Sequence, residues 1–530
     1  MTGTWPLVRL ALRRDRVLLP AWVLGFAAMV TLSVAATRDL YPTEASLTSE
    51  AETINATAAL VALYGKVYDP TSLGAISLIK LTAFGSALVG ILFAFVMVRH
   101  TRAEEETDRL ELVSAGVVGR AAPLTAALVV TMGASVVLGV LCTLGLGGVG
   151  LPWGGALAFG LGWAMSGIVF AGIAAVAAQA MTSARSAIGV AIATVGAGYV
   201  LRAVGDLAEG DPGLLSWLSP IGWSQQIRPF AGDRWWVAAL PLAAAALLVA
   251  AAFVLRSRRD LGAGLIAERP GPARGRLAGV AGLAWRLQRG MLLAWLVGAT
   301  LMGAVLGSVA HTVAGLLDSP EMARYLEALG GRQGITDAFL AAEVGILGSI
   351  VAAYGLAAAA RLRAEEANGH AEVLLASPAS RLGWAASHLA VALAGVAVII
   401  VASGAAAGLA HGLAVDDTAG QVPRLVGASA AQVPAAWVMV GVVVLLFGLV
   451  PRWVSGAWGV FAAFIVLGEF GSLWGLPRWA LDLSPFAHSP RLPAPAGAAV
   501  DAGQLVLLLV VVVALLAVGL VGWRRRDLQP

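Results

Sequence analysis

The side chains able to do chemistry are concentrated in two short runs dense in Arg and Glu. The first lies within Arg99–Arg120, RHTRAEEETDRLELVSAGVVGR, and the second within Arg363–Arg381. At the shift that lays Arg102-Ala103-Glu104-Glu105 on Arg363-Ala364-Glu365-Glu366, Glu111 falls on Glu372, Ala115 on Ala376 and Arg120 on Arg381, with no gap. Acids and bases at helical spacing, Arg102 with Glu106 and Glu105 with Arg109, predict a solvated helix laced with ion pairs. That is the chemistry of docking, not of bond making. The rest of the chain offers no reactive constellation. Its two lysines, Lys66 and Lys80, precede Val67 and Leu81 and so fit no phosphate-binding loop. If ATP drives the protein, another chain must hydrolyse it. The six His are scattered without metal-ligand spacing, and neither G-x-S-x-G nor H-E-x-x-H occurs. Cys142 is the single cysteine, which excludes a disulfide framework.

The elements that must carry these runs are apolar. The 530 residues are 59% hydrophobic and 12% charged, with a mean hydropathy of +0.84. Apolar stretches of roughly 20 residues recur throughout, which predicts an all-α polytopic membrane protein. The alternating ten-residue segments of a β-barrel are absent. Spans are expected at about 17–36, 76–98, 122–148, 155–181, 187–201 and 235–255. A second set is expected at about 290–316, 339–360, 383–411, 431–450, 454–474 and 502–523, about 12 in all. The segment from 37 to about 75 reads as a mixed loop. Residues 4–16 are amphipathic, with Leu7, Leu10 and Ala11 on one face and Arg9, Arg13 and Arg16 on another, as suits a helix lying on the membrane surface. The apolar run Val17–Ala36 is long for a signal peptide and reads as an uncleaved first span.

The repeat extends beyond the charged runs. Arg13, Arg16, Trp22 and Gly25 match Arg286, Arg289, Trp295 and Gly298. Ser219-Pro220 matches Ser484-Pro485, and Arg258-Arg259-Asp260-Leu261 matches Arg525-Arg526-Asp527-Leu528. The expected organisation is a six-helix unit at 1–255, an Arg-rich linker at 256–284 and a second six-helix unit at 285–530. An even number of spans per unit makes this a parallel 6+6 repeat about an axis along the membrane normal. Most of the 35 Lys and Arg fall on one side of this layout. That places both termini, both charged hairpins and the linker in the cytoplasm, with the chain in the cell membrane. The formal charge of +4 is therefore a topological signal and no sign of nucleic acid.

Charges inside spans invite a functional reading. Lys80 and Glu343 each lie about one turn inside the outer end of the second span of their unit, and the expectation is an outer gate formed by the two. Arg202 and Glu469, near the outer ends of the fifth spans, make a weaker case, and His388 and His411 are expected to satisfy local polar needs. Gly404-Ala-Ala-Ala-Gly408 is a small-xxx-small motif suited to close helix packing.

With its two Arg-Ala-Glu-Glu hairpins and the stretch Leu218-Ser219-Pro220-Ile221-Gly222-Trp223 through Arg228-Pro229-Phe230 to Trp236, the chain resembles an ABC-2 type permease. In particular it is similar to the actinobacterial fused two-unit form described as exporting polyketide antibiotics. The resemblance implies an export permease without an ATPase site of its own. It implies no cofactor in this chain, with ATP and Mg on a separate ATP-binding subunit, two copies per permease chain. It makes Arg102–Ala115 and Arg363–Ala376 coupling helices seated on that ATPase, through Arg102, Glu104, Glu105, Glu111, Arg363, Glu365, Glu366 and Glu372. It makes Leu7–Arg16 an interfacial helix against the lipid bilayer, and Leu214–Trp236 and Leu481–Leu492 partly re-entrant caps. The second copy departs, with Asn368-Gly369-His370 for Thr107-Asp108-Arg109 and no Arg-Pro-Phe after Ser484-Pro485, so the two halves are not expected to couple equally. Sparse charge within the spans fits an apolar or amphipathic small-molecule cargo. The alternative from another class, an ion-coupled secondary transporter, would carry carboxylates near the midplane, where this chain has none.

Overall fold

The structure is a computed structural model that describes residues 2–56, 58–107, 109–208, 212–260, 263–266, 279–313, 331–470, 477–490, 492–493 and 502–528. The described residues are helical with no strand. They divide into two compact units, Met1–Gly271 and Pro272–Pro530, with the division inside the Arg-rich linker. Among the described residues, eleven helices are long and apolar enough to span a membrane.

In the first unit the surface helix α1 (Thr4–Arg14) leads through an elbow into the first span, α2 (Leu18–Leu40). The expected loop that follows is instead two helices, α3 (Glu44–Ala56) and α4 (Ala58–Tyr64), because Leu47, Ala51 and Ile54 at i, i+4 and i+7 bury one face of α3. The second span is α5 (Leu73–Arg99), opened by the Ser72 side chain, which accepts from the Ala75 amide. The charged run forms two short helices, α6 (Arg102–Glu106) and α7 (Arg109–Ser114). Spans α8 (Ala122–Gly148), α9 (Trp153–Ala180) and α10 (Ala184–Leu207) follow. Two short helices, α11 (Leu214–Trp217) and α12 (Pro220–Gln226), precede the last span, α13 (Ala239–Ser257).

Helices α5 and α9 make the centre of the unit, apolar all round and largely buried. They touch because a Cβ at Gly85 would lie 2.3 Å from the Trp163 ring, so only glycine admits it, and the Trp163 Nε1–H donates to the Leu81 carbonyl at 3.1 Å. Helix α12 reaches the middle of α5, where the Ser224 and Ser86 hydroxyls lie 2.9 Å apart. The segment before α13 is therefore re-entrant in the first unit. Its Arg-Pro-Phe turn holds Arg228 and Phe230 in the left-handed region, at φ 53° and 61°, with the Arg228 guanidinium 3.6 Å over the Tyr68 ring.

The second unit opens with α14 (Gly279–Val313), 35 residues without an elbow, whose first turns occupy the end of the expected linker. Then come α15 (Gly331–Ala367), α16 (His370–Leu375), α17 (Arg381–Ala414), α18 (Thr418–Ala430), α19 (Val433–Leu449), α20 (Ala457–Phe470), α21 (Arg478–Leu481) and α22 (Ala502–Arg525). Gly404 and Gly408 of α17 lie against the backbone and Ser429 of α18, so the small-xxx-small motif packs those two helices. Of the span expected at 454–474, the described residues form α20, whose 14 residues cover about 21 Å, and it is not one of the eleven helices long enough to span; residues 471–476 lie outside the described residues.

Candidate functional site: the two charged hairpins

Each hairpin follows the second span of its unit. In the first unit, α6 and α7 sit on a bend after α5. In the second, α15 runs on through Glu366 and stops at Gly369, whose φ of 75° is the left-handed cap that glycine supplies. The solvated helix predicted from i,i+4 spacing does not form. Arg102 is 1% exposed, Glu105 9%, Glu365 6% and Glu366 4%. Such charges go under cover only when paired.

The pairing partner comes from the far end of each unit. Arg259, just after α13, grips Glu105 with both terminal nitrogens, Nη1 to Oε2 at 2.8 Å and Nη2 to Oε1 at 2.5 Å. Arg102 Nη1 adds a third bond to Oε2 at 2.7 Å, and Arg256 Nη1 stands 3.7 Å from Oε1. The remaining guanidinium donors of Arg259 and Arg102 find acceptors too. Arg259 Nε donates to Gln179 Oε1, Arg102 Nε to the Thr182 carbonyl, and both arginines to the Ala263 carbonyl. Arg120, at the head of α8, closes the ring by donating to the Arg259 carbonyl at 2.9 Å.

The second unit builds the same clasp. Arg526, just after α22, donates to Glu366 with Nη1 to Oε1 at 2.6 Å and Nη2 to Oε2 at 2.8 Å. Arg363 adds a bond at 3.3 Å, and Arg381 donates to the Arg526 carbonyl at 2.7 Å. The matched residues of the repeat, Arg102 with Arg363, Glu105 with Glu366, Arg120 with Arg381 and Arg259 with Arg526, therefore do one job twice. They bolt the hairpin to the end of the last helix of the unit. Two-pronged guanidinium–carboxylate pairs are the geometrically demanding kind. Surroundings differ: Arg526 lies 4.9 Å over the Phe447 ring and 4.8 Å over the Trp523 ring, and Trp523 stands where the first unit has Arg256.

Other expected site residues divide by exposure. Glu104 is half-buried and pairs with Arg14 of α1, with Arg109 at 3.9 Å. Glu365 accepts from Arg361 at 2.9 Å and meets His370 at 2.9 Å. Glu111 and Glu372, equivalent in the repeat, are exposed, as are Val117 after α7, at 89%, and Val373, next to Glu372, at 75%. These acids and apolar side chains are the parts of the hairpins open to a partner.

The elbow after α1 is tied to the same end of the unit. Asp15 is fully buried, with Arg99 Nε at 3.1 Å and His100 Nε2 at 2.6 Å from its two oxygens. Arg14 loses proton affinity, first through burial and then through the cations Arg99 and Arg109. Arg9, Arg13 and Arg16 are exposed, as expected of a surface helix. Lys80 of α5 is exposed, with its ammonium 5.6 Å from the Tyr64 ring, while Glu343 of α15 is half-buried. Arg202 is fully buried on Asp206 and the Val61 and Leu63 carbonyls, a structural role; the Glu469 side chain lies outside the described residues. His388 lies 3.1 Å from Gln288, a local polar pair as expected. Among the described residues no group of three His, Cys, Asp or Glu side chains could hold a metal ion.

Over its full length the chain is 46% identical to the multidrug efflux system permease protein Rv1217c of Mycobacterium tuberculosis (strain ATCC 25618 / H37Rv), covering 96% of that protein. The chain belongs to the Rv1217c family of efflux permeases. A family profile described as "Multidrug efflux system permease Rv1217c, C-terminal domain" matches residues 277–524, nearly the whole second unit. In this permease the residues that sequence reasoning missed are Arg259 and Arg526. Their signal was present. The Arg-Arg-Asp-Leu copies end the two units, bear the opposite charge to the Arg-Ala-Glu-Glu copies, and repeat in the same order.

Proposed function

We propose that this permease is the membrane part of an ABC-2 type exporter of apolar or amphipathic small molecules, driven by two copies of a separate ATP-binding subunit that carries ATP and Mg. One observation carries the reading. In both units a short helix carrying an exposed acid, Glu111 or Glu372, follows a buried glutamate, Glu105 or Glu366, that an arginine clasp bolts to the end of the last membrane helix. Glu111 and Glu372 make the contact with the ATPase; Glu105 with Arg259 and Glu366 with Arg526 pass its motion into the spans. The name of the relative supports multidrug cargo, and the scarcity of charge within the spans supports an apolar one. Both termini and both hairpins are cytoplasmic in this reading, in keeping with the bias of Arg and Lys.

Lys80 and Glu343, each a charge within the second span of its unit, act as an outer gate. Lys80→Met and Glu343→Leu then give transport losses that do not add in the double variant. The decisive experiment is co-purification of the permease with an ATPase encoded beside it, followed by ATP hydrolysis and dye efflux in liposomes with and without the permease. Stimulated hydrolysis that requires Glu111 and Glu372 supports the proposal. Transport that needs no ATPase and follows a proton gradient refutes it and favours a secondary transporter.

A further inference from the structure

An open-sided groove of about 540 Å³ lies between α1, α2 and α8 of the first unit. Its walls are apolar, with Trp5, Leu12, Leu19, Val23, Val130 and Val137 among them. It follows α8 from Val129 to Leu141, about 18 Å at helical rise, close to the roughly 15 Å depth of one leaflet of hydrocarbon. At Gly133 a Cβ would meet nothing within 4 Å, so the middle of the α8 wall is open.

Only two lining residues carry charge, Asp15 and Arg16, both at the elbow. Asp15 is committed to Arg99 and His100. Arg16 is exposed and has no acidic partner among the described residues. Arg16 stands at the elbow just beyond the end of α1, and Arg9 and Arg13 are exposed at i and i+4 on α1 itself. An apolar slot of leaflet depth topped by unpaired cations complements one chemistry, a lipid with acyl chains and a negative headgroup.

We propose that this groove holds one anionic phospholipid, its acyl chain along α8 and its phosphate on Arg16 and Arg13. The occupant is a lipid of the leaflet on the hairpin side. The site reaches the coupling end of the unit. Arg14 pairs with Glu104 of α6, and Asp15 ties the elbow to the end of α5, so a bound headgroup steadies the first hairpin. Among the described residues the second unit differs at this position: Arg286 and Arg289, which match Arg13 and Arg16, lie inside the continuous helix α14, with no elbow between them. The proposed site is therefore that of the first unit.

The test uses the full-length permease in detergent micelles, with phosphatidylglycerol and phosphatidylcholine brominated on their acyl chains as quenchers of tryptophan fluorescence. The difference between the wild type and Trp5→Phe isolates the Trp5 signal. The expected result is that the brominated phosphatidylglycerol quenches Trp5 at about fivefold lower concentration than the choline lipid, the factor for one cation against one anionic headgroup. Arg16→Gln removes that preference, Arg16→Lys retains it, and Gly133→Phe, which plugs the groove, weakens quenching by both lipids. Equal quenching by the two lipids in the wild type overturns the proposal, since the groove then meets ordinary bilayer. So does a preference that survives Arg13→Gln with Arg16→Gln, or one lost equally in Arg16→Lys. Trp5 quenching relieved by an apolar dye, with phosphatidylglycerol giving no preference, would assign the groove to cargo and equally overturn it.

Discussion

Removing the carboxylate charge from the first hairpin, Glu105→Gln, tests whether the clasp holds the hairpin or merely accompanies it. The substitution keeps the shape and takes the Glu105 carboxylate away from three cations: Arg102 and Arg259 with side chains 1% exposed, and Arg256 at 6%. Breaking a buried pair by taking one partner costs about 3–5 kcal/mol, because the other charge stays in low dielectric. The matching change, Glu366→Gln, leaves two cations, Arg526 at 12% and Arg363 at 22% exposure, which water screens in part. Its cost is correspondingly lower, about 2 kcal/mol. Read as amide hydrogen exchange in the hairpins, Glu105→Gln should speed exchange in α6 by roughly 10²- to 10³-fold and Glu366→Gln should speed it at the end of α15 by about thirtyfold. In the double variant Glu105→Gln with Arg259→Gln the loss should be partly recovered, because the uncompensated charge is gone. Exchange in α6 unchanged within a factor of two after Glu105→Gln would refute the argument. Equal acceleration in the two units would refute the part that rests on the extra buried cation Arg256.

Further outcomes follow from the same geometry. Glu111→Lys and Glu372→Lys reverse exposed charges that pair with nothing among the described residues. Each should leave thermal denaturation within about 0.5 kcal/mol of the wild type while the double reversal abolishes capture of the ATPase in a pull-down. Gly448→Val places a Cβ on the Gly519 carbonyl oxygen, the contact that lets α19 and α22 approach. Such overpacking costs about 1–3 kcal/mol or more, to be read as a fall of several degrees in the denaturation temperature in detergent. Asp15→Asn should loosen the elbow without touching the clasp, so proteolysis near Arg16 should accelerate while exchange in α6 stays slow.

Spans and the doubling were legible because both are one-dimensional signals, an apolar run of fixed length and a motif found twice. Helix α3 was equally legible in the spacing of Leu47, Ala51 and Ile54, but its acids Glu44, Glu50 and Glu52 suggested a loop. The burial of the hairpins was not legible from their own residues. Periodicity reports which side chains are neighbours on one helix, and it pointed to Arg109 and Glu106. The carboxylate of Glu105 is instead taken by Arg259, 154 positions away, through contacts that only the folded unit brings together. Glu111 and Glu372 fared better, since an exposed residue needs no partner for its position to be read.

Comparing the units separates what both need from what one has added. At the elbow, the first unit has Asp15 on Arg99 and His100, whereas the second has Gln288 beside His388, a neutral contact to a different helix. At the end of the last helix, Arg256 of the first unit is answered by Trp523, which stacks on Phe447 at 4.8 Å. The re-entrant Arg-Pro-Phe turn has no second copy. Through these changes the Glu–Arg pair and the arginine on its backbone carbonyl persist with nearly identical geometry, 2.9 Å against 2.7 Å for the carbonyl bond. A pair kept for stability alone could be replaced by apolar side chains at little cost or even a gain. Its retention in two otherwise divergent units argues that the hairpin must be held at one fixed position relative to the last helix, which is what transmission of force from a docked subunit requires. The elbow is free to differ, and in the first unit it carries Arg16 and the groove through which the proposed lipid acts on the hairpin.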